Sequence, residues 1–127
     1  MTLEGQPPPL HELEAEVMEH VWDHDRATVR EVLEALNRGP RQRAYTTVMT
    51  IMGRLHRKGV LEREREGRTD VYWPALGRAA YLDARAKAEV EALVEEFGDV
   101  ALAHFAGQVE RLDPERLEKL RRLAGRD

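Results

Sequence analysis

One stretch, Ala44 to Leu61 (AYTTVMTIMGRLHRKGVL), constrains the chain more than any other, because it lays two periodic patterns on one helix and then stops that helix with a glycine. Val48, Ile51, Met52 and Leu55 fall at i, i+3, i+4 and i+7, a spacing that predicts a single buried face. The opposite face carries Thr46, Thr47, Thr50, Arg54 and Arg57. Short hydroxyls and long guanidinium groups suit a helix lying deep in a DNA major groove, where bulky side chains at the near end would hold it off the base edges. Lys58-Gly59 then closes the helix in the manner of a glycine C-cap.

Charge is sorted along the chain in the same sense. Over all 127 residues the net charge is −4. Residues 1–37 hold 2 basic and 9 acidic side chains, residues 38–68 hold 9 and 3, and residues 69–127 hold 9 and 12. The one basic block is therefore centred on the helix just described, and it is the local field that governs contact with phosphate. The length fits one domain, or one domain with an appendage. With no cysteine in the sequence, a disulfide framework and thiolate metal sites are excluded. No run resembles a signal peptide or is apolar enough to span a membrane, so a soluble cytoplasmic protein without direct membrane insertion is expected.

The flanking segments supply the rest of a unit. After a loose leader over residues 1–9, Leu10, Leu13, Val17, Val21 and Trp22 recur at helical spacing through HELEAEVMEHVWDH, with an acidic outer face. Thr28-Val29-Arg30-Glu31 forms a capping box for a second helix, which turns Val29, Val32, Leu33 and Leu36 inward and ends before Gly39-Pro40. Residues 38–43 form a basic connection into the third helix. Beyond Gly59, Leu61, Arg63 and Arg65 alternate with Glu62 and Glu64, Glu66-Gly67-Arg68-Thr69 makes a turn, and Val71, Tyr72 and Trp73 form a second strand ended by Pro74. Three helices and a two-stranded ribbon, the third helix basic outside, is a winged helix-turn-helix order over residues 10–75.

Residues 76–127 read as a separate helical region. Leu82, Ala86, Val90, Leu93 and Phe97 mark one helix, Leu102, Phe105, Val109 and Leu112 the next, and Asp113-Pro114 caps a third that carries Leu117, Leu120 and Leu123. Helices this short and one-sided do not cover their own apolar stripes. Either they fold back on the winged domain, or a second copy of the chain covers them through Leu93, Phe97, Leu102, Phe105, Val109 and Leu112. Dimerisation is the favoured reading, since a DNA reader with one recognition helix gains specificity by pairing two of them about 34 Å apart on a palindrome. The expected fold class is thus mainly α with a small β-hairpin wing, a winged helix-turn-helix domain followed by a helical dimerisation region.

These residues resemble the penicillinase-repressor family of bacterial transcriptional regulators, the BlaI/MecI type. The matching pieces are LEAEVMEHVW from Leu13, TVREVLEAL from Thr28, YTTVMTIMGRLHRKGVL from Tyr45, and Gly67-Arg68 with Tyr72-Trp73-Pro74 in the wing. The resemblance implies a homodimeric repressor on a pseudo-palindromic operator in double-stranded DNA, with a link to antibiotic resistance. In better-known members a membrane-bound sensor metalloprotease triggers cleavage between an asparagine and a phenylalanine in the dimerisation region. The equivalent pair here is His104-Phe105, which keeps the phenylalanine and not the asparagine. An orphan winged-helix regulator released by another signal is the alternative, and a metal-binding protein using His20 and His24 ranks below it.

Within the family pattern Thr47, Thr50 and Arg54 face DNA, and Thr46 sits where its hydroxyl and the helix amides take a phosphate. Met49 is either a contact to a thymine methyl or a plain surface methionine. Thr28, Arg41, Arg43, Lys58 and Arg68 are candidate phosphate contacts, which position without specifying, and Arg68 has the minor groove as a second option. Against an enzyme stand the missing HExxH, phosphate loop and nucleophile elbow. His20 and His24 at i, i+4 with Asp23 between them have chelating spacing, but without a further ligand cluster no metal site or cofactor is expected. A winged helix used only for protein interaction would need neither three threonines and an arginine on one face nor a basic wing.

Overall fold

The structure, a computed structural model, describes residues 7–125. Its elements run α1 (Glu12–His24), α2 (Val29–Leu36), α3 (Tyr45–Arg57), β1 (Leu61–Glu66), β2 (Thr69–Pro74), α4 (Arg78–Phe97), α5 (Asp99–Glu110) and α6 (Pro114–Ala124). The chain divides into two compact units, one ending at Ala86 and the other beginning at Lys87, so α4 runs through the division.

In the first unit, three amphipathic helices bury one core. Val17, Met18 and Val21 of α1, Val29 and Val32 of α2, and Val48, Ile51, Met52 and Leu55 of α3 all turn inward. Val60, Leu61 and Tyr72 close this core from the wing side, and Leu10, Leu13, Trp22, Leu33 and Leu36 pack around it. The capping box at α2 forms as its sequence requires: the Glu31 amide donates to Thr28 Oγ1 at 3.1 Å and the Thr28 amide to Glu31 Oε1 at 2.8 Å. At the other end of α3, Gly59 has φ +81°. That left-handed turn brings the Gly59 amide to the His56 carbonyl (3.0 Å) and the Val60 amide to the Leu55 carbonyl (2.9 Å), the paired bonds of a Schellman motif.

The wing is an antiparallel pair in the register Leu61↔Pro74 through Glu66↔Thr69, joined by Gly67-Arg68. Gly67 has φ +65°, the sign a type II′ turn needs at its first position and one that glycine reaches without Cβ strain. The ribbon is also tied back to the helices. Ala27 and Tyr72 exchange two backbone hydrogen bonds of 2.9 Å, so the residues just before α2 act as a one-residue third strand. The turn between α1 and α2 therefore also anchors the wing.

Two expectations are corrected at the edges of this unit. The leader expected over residues 1–9 falls partly outside the described residues, but Pro7 is buried. The Pro7 carbonyl accepts from Arg85 Nη1 at 3.2 Å and the Pro8 carbonyl from the Tyr81 hydroxyl. The unit also continues past the boundary expected at residue 75, because the first turns of α4 belong to it. Trp22 Nε1 donates to the Leu76 carbonyl at 2.9 Å, its ring lies 5.4 Å from that of Tyr81, and Arg78 bridges Glu19 (2.6 Å) and Asp23 (2.7 Å).

In the second unit the helices follow the apolar spacing. Gly98, at φ +58° and ψ −134°, breaks α4 from α5. Asp113 caps α6, its carboxylate accepting from the Arg116 amide at 2.8 Å, with Pro114 in the first turn. Leu112 lies just beyond α5, not within it. No helix among the described residues is long and apolar enough to cross a membrane.

Candidate nucleic-acid interface

The geometry of α3 follows from its two-faced sequence. Val48, Met52 and Leu55 are fully buried, and that fixes the rotation of the helix and turns Thr46, Thr47, Met49, Thr50, Arg54 and Arg57 outward. Met49 is 46% exposed, too open for a core residue. No side chain caps the N-terminus of α3, while Arg54, His56 and Arg57 fill its last turn, where cations suit the helix dipole. Arg54 has no ion pair among the described residues, so its guanidinium is not held by the protein's own carboxylates.

The connection from α2 to α3 is set by Asn37, which the sequence pattern did not single out. Its amide bridges the loop, Oδ1 accepting from the Arg43 amide (2.7 Å) and Nδ2 donating to the Arg43 carbonyl (3.1 Å). Gln42 Nε2 adds bonds to the Asn37 and Gly39 carbonyls. The loop bearing Arg41 and Arg43 is thereby closed at the foot of α3.

The candidate phosphate contacts divide into two groups. Arg41 meets Glu12 at 3.2 Å and Arg43 meets Glu16 at 3.1 Å, both across largely exposed carboxylates, and such surface pairs are weak enough to exchange for another anion. Lys58 is different. Its ammonium lies 2.9 Å from the Glu14 carboxylate, whose side chain is fully buried, while the other Glu14 oxygen accepts from the His11 amide at 2.9 Å. Burial pushes the Glu14 carboxyl up, but the His11 amide and the Lys58 ammonium outweigh it and hold the group below its ordinary value. Lys58 is thus engaged in holding the end of α3 to α1.

Thr28 spends its hydroxyl acceptor on the α2 cap but remains half-exposed. Arg68 stands exposed at the wing turn, held only through its own carbonyl, which accepts from Arg65 Nη1 at 3.3 Å. Arg65 in turn pairs with Asp70 at 3.0 Å. Arg26 pairs with Glu66 and lies over the Trp73 ring, so the wing is braced from the α1–α2 turn. Next to α3 the guanidinium of Arg30 lies over the Tyr45 ring, 5.4 Å from its centroid. Arg30 sits in the acidic block of the sequence, where a count by blocks hides it.

The paired histidines take a structural pose. The rings of His20 and His24 stack with centroids 4.2 Å apart, and His24 Nδ1 lies 3.0 Å from the His20 carbonyl. Asp23, between them, is committed to Arg78, whose hydrogen bond holds its carboxyl below the ordinary value. Among the described residues no three potential metal ligands cluster.

A three-helix core with a braced β-wing, presenting the polar and basic face of its third helix, defines a winged helix-turn-helix DNA-binding protein. Comparison with known proteins makes this specific: the chain belongs to the penicillinase repressor family, whose model matches residues 10–126. This is a family of transcriptional repressors, not of enzymes. The transcriptional regulator BlaI of Mycobacterium tuberculosis is 40% identical over 119 residues, covering 89% of this chain and 80% of its own. The penicillinase repressor of Bacillus licheniformis is 31% identical over 78 residues, 61% of this chain and 60% of its own.

Among solved structures, the DNA-binding domain of the repressor BlaI superimposes with a TM-score of 0.54 at 31% identity, over 64% of this chain and 94% of that one. Monomeric Bacillus licheniformis BlaI in complex with the blaP half-operator gives 0.50 at 32% identity, over 60% and 92%.

Proposed function

We propose that the chain is a homodimeric repressor that seats α3 in the major groove of each half of a pseudo-palindromic operator, with the wing on the flanking backbone. The observation that carries this is the division of α3 into a buried apolar face and an exposed face of threonines and unpaired Arg54, with Met49 of that face and Arg68 of the wing turn lining one cleft. A similar repressor domain is known in complex with a half-operator, which supports one chain per half-site. Thr47, Thr50 and Arg54 read bases, Met49 meets a thymine methyl, and Thr28, Arg41, Arg43, Thr46 and Arg68 hold phosphates. Repression by occupying an operator implies a cytoplasmic location.

Dimerisation belongs to the second unit. There Leu93, Phe97, Leu102 and Val109 are 41, 51, 49 and 40% exposed, whereas Ala101 is buried. Leu93, Phe97, Val100, Ala101, His104 and Phe105 line an apolar cleft of about 340 Å³ between α4 and α5. So much open apolar surface on one small unit calls for a partner, and a second copy supplies a matching surface by symmetry.

Release follows from separating the dimer. The His104-Phe105 bond lies inside α5, so a protease answering to a membrane-bound sensor must first unwind that helix; a signal acting on the dimer without cutting it is the second route. Phe105→Glu is the direct test of the dimer reading. Sedimentation equilibrium should show a wild-type dimer and a variant weakened at least tenfold in self-association, with a parallel loss of affinity for a palindromic duplex. An unchanged dimer in the variant would move the interface off α5.

A further inference from the structure

The start of α2, the start of α3 and the wing turn enclose a cleft of about 370 Å³. Thr28, Arg30, Tyr45, Met49, Arg68 and Asp70 line it, and Arg30 and Tyr45 have no function assigned above. We propose that Arg30, its guanidinium over the Tyr45 ring, grips a phosphodiester of the DNA strand that lies in the cleft between α2 and the wing. The inference rests on the DNA-binding reading of α3 and adds to it a backbone contact outside that helix.

Its first support is the pairing of the neighbouring cations. Arg26, Arg41, Arg43, Lys58 and Arg65 each meet a carboxylate. Among the described residues Arg30 and Arg68, which both line the cleft, have no such partner. The one acidic group in the lining, Asp70, is neutralised by Arg65 at 3.0 Å, so an anion entering the cleft meets uncompensated positive charge.

The second support is the way Arg30 is held. A guanidinium lying over an aromatic face keeps its N–H edge free, and that edge is the part that matches two phosphate oxygens at once. Stacking on Tyr45 also removes much of the side-chain freedom that a solvated arginine would lose on binding. Tyr45 is the first residue of α3 and is itself 42% exposed, so the ring stands at the edge of the recognition face and is not sunk in the core.

The third support is continuity. Met49 lies on the exposed face of α3 and Arg68 at the wing turn, and both border the same cleft. A duplex seated on α3 and touched by the wing has its backbone pass between them. DNA is for that reason the favoured source of the phosphate, over a free small anion.

The test uses the full chain, with Arg30→Ala, Arg30→Lys and Tyr45→Leu. Each is titrated with a duplex selected from random sequence by the wild type and with a mixed-sequence duplex of equal length, across a series of salt concentrations. Arg30→Ala should weaken binding to both duplexes by the same factor, about five- to tenfold, and reduce the slope of log K against log salt by about 0.9 per chain bound. Arg30→Lys should keep the slope while losing part of the affinity. Tyr45→Leu should likewise keep the slope and lose about two- to threefold, the share owed to stacking. Unchanged affinity and slope in Arg30→Ala would overturn the inference, as would a loss confined to the selected duplex, which would mark a base contact. Salt-independent binding by the wild type would instead overturn the DNA-binding reading itself.

Discussion

Lys58 carries the clearest lesson at the level of single residues. A lysine at the end of a basic helix reads as a phosphate contact, yet its ammonium is matched to a buried carboxylate from a helix that lies 44 residues away in sequence. Charge spacing along the chain says nothing about which acid lies across the core, so Glu14 looked like one more member of the acidic outer face of α1. The pair gives a testable pH dependence. Because the Glu14 carboxyl is held below its ordinary value, the stability it contributes is fully present above that ordinary value and is lost as pH falls through the lowered, folded-state one. Removing the ammonium by Lys58→Ala strands the carboxylate, and urea unfolding at neutral pH should show a loss of about 3 kcal/mol. The deficit should shrink in acid, where the stranded carboxyl takes up a proton. A loss below about 0.5 kcal/mol at neutral pH would place Lys58 with ordinary surface pairs and return it to the phosphate contacts.

For whole elements, the patterns that are local in sequence were legible. The buried stripe of α3, the capping box at α2, the glycine closing α3 and the Asp113-Pro114 start of α6 each depend on residues within a few positions of one another, and each appears where the spacing puts it. What could not be read depends on contacts between distant segments: the Ala27 bridge to Tyr72, the Asn37 clamp on the loop before α3, and the docking of α4 on Trp22. Of the interface itself, the exposed face of α3 was legible because its opposite face is apolar, whereas Arg30 was not, since its stacking partner comes from another helix. Gly98 gives a prediction at this level. Its φ of +58° with ψ of −134° is a region that other residues enter only under strain, and a Cβ added there would meet nothing within 4 Å, so the cost of a side chain is all in the backbone. Gly98→Ala should destabilise the second unit by about 1–3 kcal/mol in thermal unfolding at fixed chain concentration. Gly77→Ala, at a position with equally open space and no positive φ, should be neutral or slightly stabilising. Equal effects of the two substitutions would show that Gly98 carries no conformational strain.

Taken whole, the molecule separates its tasks by unit. In the first, the core of α1, α2 and α3 and a wing anchored at Ala27 set which face of α3 is exposed. The second exposes apolar side chains, the surface that the proposed dimer would cover. An overall charge of −4 is compatible with DNA binding because most of the acidic residues lie outside the block that carries α3, which holds 9 basic and 3 acidic side chains. Operator recognition through α3 is tested most directly by comparing wild type with Arg54→Ala on a selected palindromic duplex and on single-position variants of it. The substitution should cost about 1–3 kcal/mol on the palindrome and abolish discrimination at one symmetric pair of base positions, with the others still read. An equal loss on every duplex, with discrimination intact, would show that Arg54 holds only the backbone and that α3 does not read the operator as described.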